Sequence, residues 1–197
     1  LVVFYHLCFP FIFFHFFMIN EIIYRGDHHY TLRTVSVNDA LPLAEYFASL
    51  SEETKRRFQP HPLTAESAAE IARFPLGTAI RTILLDGAKV IGYFILETAM
   101  SPHEAGRFAA YGIELVSGKD VLFAPSILDN YQNKGLASEV MLVLIDFLKR
   151  EKFQSLVLMG GTQETNSRAI AFYEKFGFVK FGGYHTEMFN HDMRLIL

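Results

Sequence analysis

The chain has a single cysteine, Cys8, among 197 residues, which excludes an internal disulfide framework and a multi-cysteine zinc site. A reducing, cytoplasmic setting suits that usage. A basic excess is also missing: 18 Lys and Arg stand against 21 Asp and Glu, and the formal net charge is −3. No nucleic-acid partner is expected from such a balance. The eight histidines are scattered, and His28-His29 lacks the i, i+4 spacing that turns two rings of a helix toward one ion. No metal is expected. Between Asn20 and Leu197 there is neither an internal repeat nor a low-complexity linker. The length allows one well-buried core and is short for two, so residues 20–197 read as one domain.

Charge is absent from Leu1 to Ile19, which hold seven of the twenty phenylalanines. Nineteen uncharged residues reach the lower end of a membrane span, but His6, Pro10, His15 and the missing Lys/Arg flank speak against one. A signal peptide would need a basic start and a small-residue cleavage site, and neither is present. The favoured reading is an over-extended frame with translation starting at Met18. A membrane anchor and a packed helix are the alternatives, so a membrane partner is expected only if these residues are real.

From His29 onward, apolar spacing sets out an α/β chain. His29 to Val37 alternates as a first strand, and Asn38 or Asp39 caps a helix through Leu50. Ser51-Glu52-Glu53 opens a second helix that Pro60 and Pro62 end, and Thr64 caps a third that stops at Pro75. Asp86-Gly87 between Thr78–Leu85 and Lys89–Glu97 signals a hairpin. Met100 to Gly112 reads as a long covering loop, with Ile113 to Val116 as a short strand. Val121 to Leu128 is an apolar strand, Ala137 to Arg150 a buried helix, and Gln154 to Met159 a short buried parallel strand released by Gly160-Gly161. Phe178 to Glu187 and His191 to Leu197 pair at the end of the sheet.

The turn Gln132-Asn133-Lys134-Gly135-Leu136-Ala137 carries chemistry. It joins a strand to a helix, whose first amides have no partner within it and whose dipole favours an anion such as phosphate. Gly135 leaves the approach open, while Gln132 and Lys134 add donors; the plain alternative is an ordinary tight turn. Some thirty residues on stands Asn166-Ser167-Arg168-Ala169-Ile170-Ala171-Phe172-Tyr173-Glu174-Lys175-Phe176-Gly177-Phe178. Asn166 and Tyr173 lie seven apart, about two helical turns, hence on one face.

In these two stretches the chain resembles the GCN5-related N-acetyltransferase superfamily, whose loop reads Q/R-x-x-G-x-G/A and whose later helix reads N-x-x-A-x-x-F-Y-x-x-x-G-F. The resemblance spans about residues 29 to 197, with Ala137 taking the alanine option of the loop. It implies a mixed central sheet of six to seven strands, splayed between the fourth and fifth and flanked by helices. It also implies acetyl-CoA as co-substrate and direct transfer to a small-molecule or peptide amine in a ternary complex. A non-catalytic acyl-CoA-binding or sensor module on the same fold is the alternative. By resemblance, Gln132, Asn133, Lys134, Gly135, Leu136, Ala137 and Ser138 hold the pyrophosphate, and the backbone of Ser126, Ile127 and Leu128 pairs with the pantetheine arm. Asn166 bonds that arm, and Tyr173 protonates the departing thiolate; its plain alternative is a packed aromatic. Arg56, Arg57, Phe58 and His61 are the candidate acceptor wall, or else solvated arginines and a packed ring. The family's glutamate near the start of the fourth strand is Val121 here, which leaves Glu114 as candidate base with Asp120 and Asp129 behind it. Homodimer formation stays open.

Overall fold

The structure is a computed structural model that describes residues 18–75 and 77–197. The readings of Leu1 to Phe17 therefore lie outside the described residues, as does Cys8.

The chain enters the sheet earlier than its composition announces. Strand β1 (Asn20–Arg25) turns at Gly26-Asp27 and pairs antiparallel with β2 (His28–Thr34), with Arg25 opposite His28. Gly26 sits at a φ of 60°, which a two-residue hairpin turn requires. β2 ends at Thr34 rather than Val37, because Ser36 begins a cap. Its side chain and amide meet the Asp39 carboxylate, and a 3-10 turn over Val37–Asp39 leads into helix α1 (Ala40–Ser49). Arg33 fixes this corner with two 2.7 Å bonds to Asp39. Helices α2 (Glu52–Arg57) and α3 (Ala65–Arg73) follow, capped by the Ser51 and Thr64 hydroxyls as expected.

The Asp86-Gly87 hairpin joins β3 (Ala79–Asp86) to β4 (Lys89–Glu97). The stretch expected as a covering loop instead contains helix α4 (Pro102–Ala109), held by a Ser101/Glu104 capping box with Pro102 in the first turn. Residues 113–116 form no strand. β5 (Asp120–Ile127) then runs antiparallel to β4, and the long helix α5 (Leu136–Arg150) crosses to β6 (Ser155–Gln163). Leu136, Val140, Met141, Leu144, Phe147 and Leu148 make the buried stripe of α5. β6 continues past Gly160-Gly161 to Gln163, longer than expected. Helix α6 (Ser167–Lys175) leads to β7 (Val179–His185) and β8 (Phe189–Ile196), and β8 inserts beside β6.

The eight strands stand in the order β1-β2-β3-β4-β5-β6-β8-β7. Among the described strands only β5 and β6 pair in parallel. Their pairing covers Asp120–Ser155, Val121–Leu156 and Leu122–Val157 and then stops, although both strands run on. The splay expected between the fourth and fifth strands thus falls between β5 and β6, because the unexpected β1 shifts the count by one.

A buried polar pin closes the narrow end of this wedge. Asp120, 1% exposed, accepts from Arg194 of β8 at 2.9 Å, from the Ser155 hydroxyl of β6 and from the Val116 amide at 2.7 Å. Three strands are tied at one point.

Candidate active site

Antiparallel register decides what the open side of β5 presents. The Leu128 amide donates to the Ile91 carbonyl at 2.9 Å, so Ile91 and Leu128 form a hydrogen-bonded pair. Two residues back, Tyr93 and Ser126 repeat that pattern, while Gly92–Ile127 and Phe94–Pro125 turn their peptide groups away from β4. Pro125, which has no N–H, therefore interrupts no bond to β4 and faces the side that β6 has left. Of the three residues expected to pair with a pantetheine arm, Ile127 offers its N–H to the gap, its carbonyl being taken by Gln132. Ser126 and Leu128 are bonded toward β4.

The gap opens into a cavity of about 900 Å³ that runs from the β5–α5 turn past α6 to α2 and α4. At its first end lies the turn that precedes α5. The amides of Asn133, Lys134, Gly135, Leu136 and Ala137 have no partner among the described residues. Asn133 and Gly135 take φ values of 59° and 79°, which curl these donors around one point. Such a nest suits an oxyanion. Gln132, Asn133, Gly135, Leu136, Ala137 and Ser138 line the cavity; the Lys134 side chain does not, and its ammonium lies 5.3 Å from the Tyr131 ring centre.

Gln132 differs from expectation. Its amide nitrogen donates to the Ile127 carbonyl at 2.9 Å, and its oxygen accepts from Arg168 of α6 at 2.6 Å. It ties strand, turn and helix together with its oxygen and one of its two amide hydrogens. Arg25, absent from the sequence reading, comes over from β1: its Nη2 donates to the Lys134 carbonyl at 2.6 Å and its Nη1 to Glu139 at 3.2 Å. A Cβ on residue 135 would stand 2.6 Å from that guanidinium, a contact that the flexible Arg25 side chain can relieve, so it is the left-handed φ of 79° that selects glycine.

Further in, Asn166 caps α6 through its Oδ1, which accepts from the Ala169 amide at 3.3 Å, leaving its amide nitrogen free among the described residues. Tyr173 is 7% exposed and lines the cavity, and its hydroxyl has no hydrogen-bond partner among the described residues. Burial pushes its pKa well above the ordinary tyrosine value, so the group stays protonated at neutral pH.

The far end is lined by Arg57, Phe58, His61, Arg81, Glu97 and Arg107. Arg56, expected among them, is exposed and outside the lining. His61 meets the Pro62 carbonyl with Nδ1 at 2.8 Å and the Tyr93 hydroxyl with Nε2 at 3.2 Å. A carbonyl only accepts, so Nδ1 carries the hydrogen and Nε2 of the neutral ring accepts from Tyr93. Burial lowers the His61 pKa, the Pro62 bond opposes this, and nearby Arg81 lowers it further.

None of the carboxylates expected as base is in place. Glu114 is exposed and does not line the cavity. Asp120 is the buried pin. Asp129 accepts from the Ser51 amide and hydroxyl and from the Thr54 hydroxyl; burial raises its pKa, but these bonds outweigh it and the net shift is downward. Glu97 does line the cavity. It lies opposite Leu122, beside the start of β5, where the register of β4 and not proximity in sequence brings it. No group of three or more His, Cys, Asp or Glu placed to hold a metal occurs among the described residues, and no helix there is long and apolar enough to cross a membrane.

No curated protein matches the sequence. Solved structures do. The GNAT domain of S. lividans PAT superposes with a TM-score of 0.70 at 13% identity, covering 92% of this chain and 97% of that one. An acetyltransferase of the GNAT family from Streptococcus pneumoniae gives 0.64 at 19% identity, over 85% and 99% of the two chains. The ribosomal-protein-S5-alanine acetyltransferase of Vibrio fischeri gives 0.66 at 16%, over 90% and 96%. At such identities these neighbours speak for the fold. The profile of the acetyltransferase (GNAT) family matches residues 44–178, from α1 through the Tyr173 helix. With the splayed β5/β6 pair, the amide nest and the α6 face all inside that span, the chain belongs to the GNAT acetyltransferase family.

Proposed function

We propose that the protein transfers an acetyl group from acetyl-CoA to a primary amine by direct attack, with both substrates bound at once. The observation that carries this reading is the continuous route from the nest at 133–137, along the open side of Ile127, to the unpartnered hydroxyl of Tyr173. The nest and the helix dipole hold the pyrophosphate, and Asn166 offers its free amide nitrogen to the arm. When bound, acetyl-CoA supplies the thioester. The Ile127 amide faces the gap and donates where the thioester oxygen gains charge. Glu97 takes the proton from the attacking amine, the role for which Glu114 is misplaced. Tyr173 donates to the sulfur as the carbon–sulfur bond breaks.

The acceptor is a small-molecule or peptide amine. An α-amine with pKa near 7.8 is neutral in roughly one molecule in seven at pH 7, a lysine near 10.4 in roughly one in 2,500, so the first asks less of Glu97. The test is calorimetric titration with acetyl-CoA followed by an amine screen that reads free thiol. Glu97→Gln should bind acetyl-CoA as the parent does and lose about a hundredfold or more in turnover below pH 7, with partial recovery as rising pH deprotonates the amine. An unchanged pH–rate profile would remove Glu97 as base. Tight binding without turnover of any amine would instead make the protein a non-catalytic acyl-CoA-binding module.

A further inference from the structure

Three arginines, Arg57, Arg81 and Arg107, and two carboxylates, Glu97 and Glu104, line the acceptor end of the cavity. Arg107 is committed: it pairs with the buried Asp192 at 2.9 Å and its guanidinium lies 4.0 Å from the Tyr184 ring centre. Arg57 has one partner, the largely exposed Glu53 at 2.6 Å, and its Nε is buried with no hydrogen-bond partner. Arg81 is half-buried and lines the cavity. No carboxylate among the described residues lies within ion-pair distance of it, and its Nε is likewise buried without a partner. A guanidinium withdrawn from water without a counter-ion is costly, and it is stable where an anion completes it.

Register fixes what Arg81 sits beside. Arg81 lies opposite Ile95, so Arg81, Ile95 and Glu97 share one face of the sheet, with Glu97 on the diagonal. Diagonal neighbours stand about 7–8 Å apart, beyond an ion pair but within the span of a small molecule. We propose that the acceptor amine carries a carboxylate a few bonds from its nitrogen, received by Arg81 with Arg57 while the amine faces Glu97. This rests on the transferase reading for the amine and on the arginines alone for the carboxylate. A planar guanidinium takes a carboxylate through two parallel bonds, and Glu97 on the same face disfavours a dianion such as phosphate.

Two measurements on the full chain separate the parts. The first is the melting temperature with millimolar butyrate, a monocarboxylate without an amine, which should rise by about 3 °C at tenfold the dissociation constant. Arg81→Gln and Arg57→Gln should each shrink that rise, and Arg81→Lys should keep part of it. The second is turnover of matched acceptors that differ only in carboxylate or carboxamide, such as glycine and glycinamide, and β-alanine and β-alaninamide. The carboxylate member should lead by about tenfold or more in kcat/KM, and the lead should collapse in Arg81→Gln. A butyrate effect without turnover would keep the carboxylate site and reject the transferase reading. Turnover with no carboxylate lead, or a lead that Arg81→Gln leaves intact, would overturn the carboxylate assignment while the transferase reading stands. No butyrate effect would overturn it as well.

Discussion

The Tyr173 side chain is buried but lines the cavity, and its hydroxyl has no hydrogen-bond partner among the described residues, so no contact within the fold depends on it. Structure alone gives no reason to keep that oxygen. Tyr173→Phe should therefore melt at the parent temperature or slightly above it, because the ring and its 5.3 Å contacts with Phe172 and Phe178 remain. Turnover should fall while acetyl-CoA affinity holds. The size of the fall follows from acidity: the raised pKa of Tyr173 lies above that of a thiol near 8.5, so full proton transfer to a thiolate is uphill. Its contribution is then a strong hydrogen bond to the leaving sulfur, and a loss of about a hundredfold is expected, at the low end for an acid. Parallel melting, calorimetry and kinetics check this; equal turnover in the two proteins would return Tyr173 to the core.

At the scale of elements, the wedge between β5 and β6 depends on its closed end. Asp120 is fully buried against Arg194 and Ser155, and removing its charge leaves Arg194 without a counter-ion. Asp120→Asn should cost about 3 kcal/mol, or roughly 6–12 °C in melting temperature for a chain of this size. Acetyl-CoA affinity should weaken as the strands lose their fixed divergence. A loss below about 2 °C would mean that side-chain packing, not this pin, sets the splay. Much of the wedge was legible beforehand: Val121 to Leu128, Ala137 to Arg150 and the Asn166 helix appear nearly where spacing and caps put them. Pro125 within β5 was a sign of the splay that could have been used. β1 was not legible, since its adjacent Ile22 and Ile23 blur the alternation and only Gly26-Asp27 marks a turn. α4 was obscured by Pro102 and Gly106, although Ser101 and Glu104 spell its capping box. Arg25, Glu97 and Arg81 were missed for a shared reason: each reaches the site from a strand distant in sequence, and register alone brings it there.

For the whole molecule, the question is where the cooperative fold begins. Ile19 is 3% exposed, its amide donates to the Thr34 hydroxyl at 2.8 Å, and its carbonyl accepts from the Thr34 amide at 2.9 Å. Met18, one residue earlier, is exposed. The boundary of the described core thus lies between neighbouring residues, and two shortened chains can locate it. A chain starting at Met18 retains Ile19 with both bonds and should melt within about 2 °C of the full chain, with the same acetyl-CoA affinity. A chain starting at Asn20 loses a buried isoleucine, worth roughly 2 kcal/mol, and exposes the Thr34 donors at the end of β2. It should melt about 4–8 °C lower. Ile19→Ala in the full chain provides the control, because it removes the side chain while keeping every backbone bond, and it should fall between the two. If the Met18 chain instead melts far below the full chain, residues before Met18 contribute to the fold. If the Asn20 chain matches the Met18 chain, Ile19 packs without stabilising, and the fold begins with β1 itself.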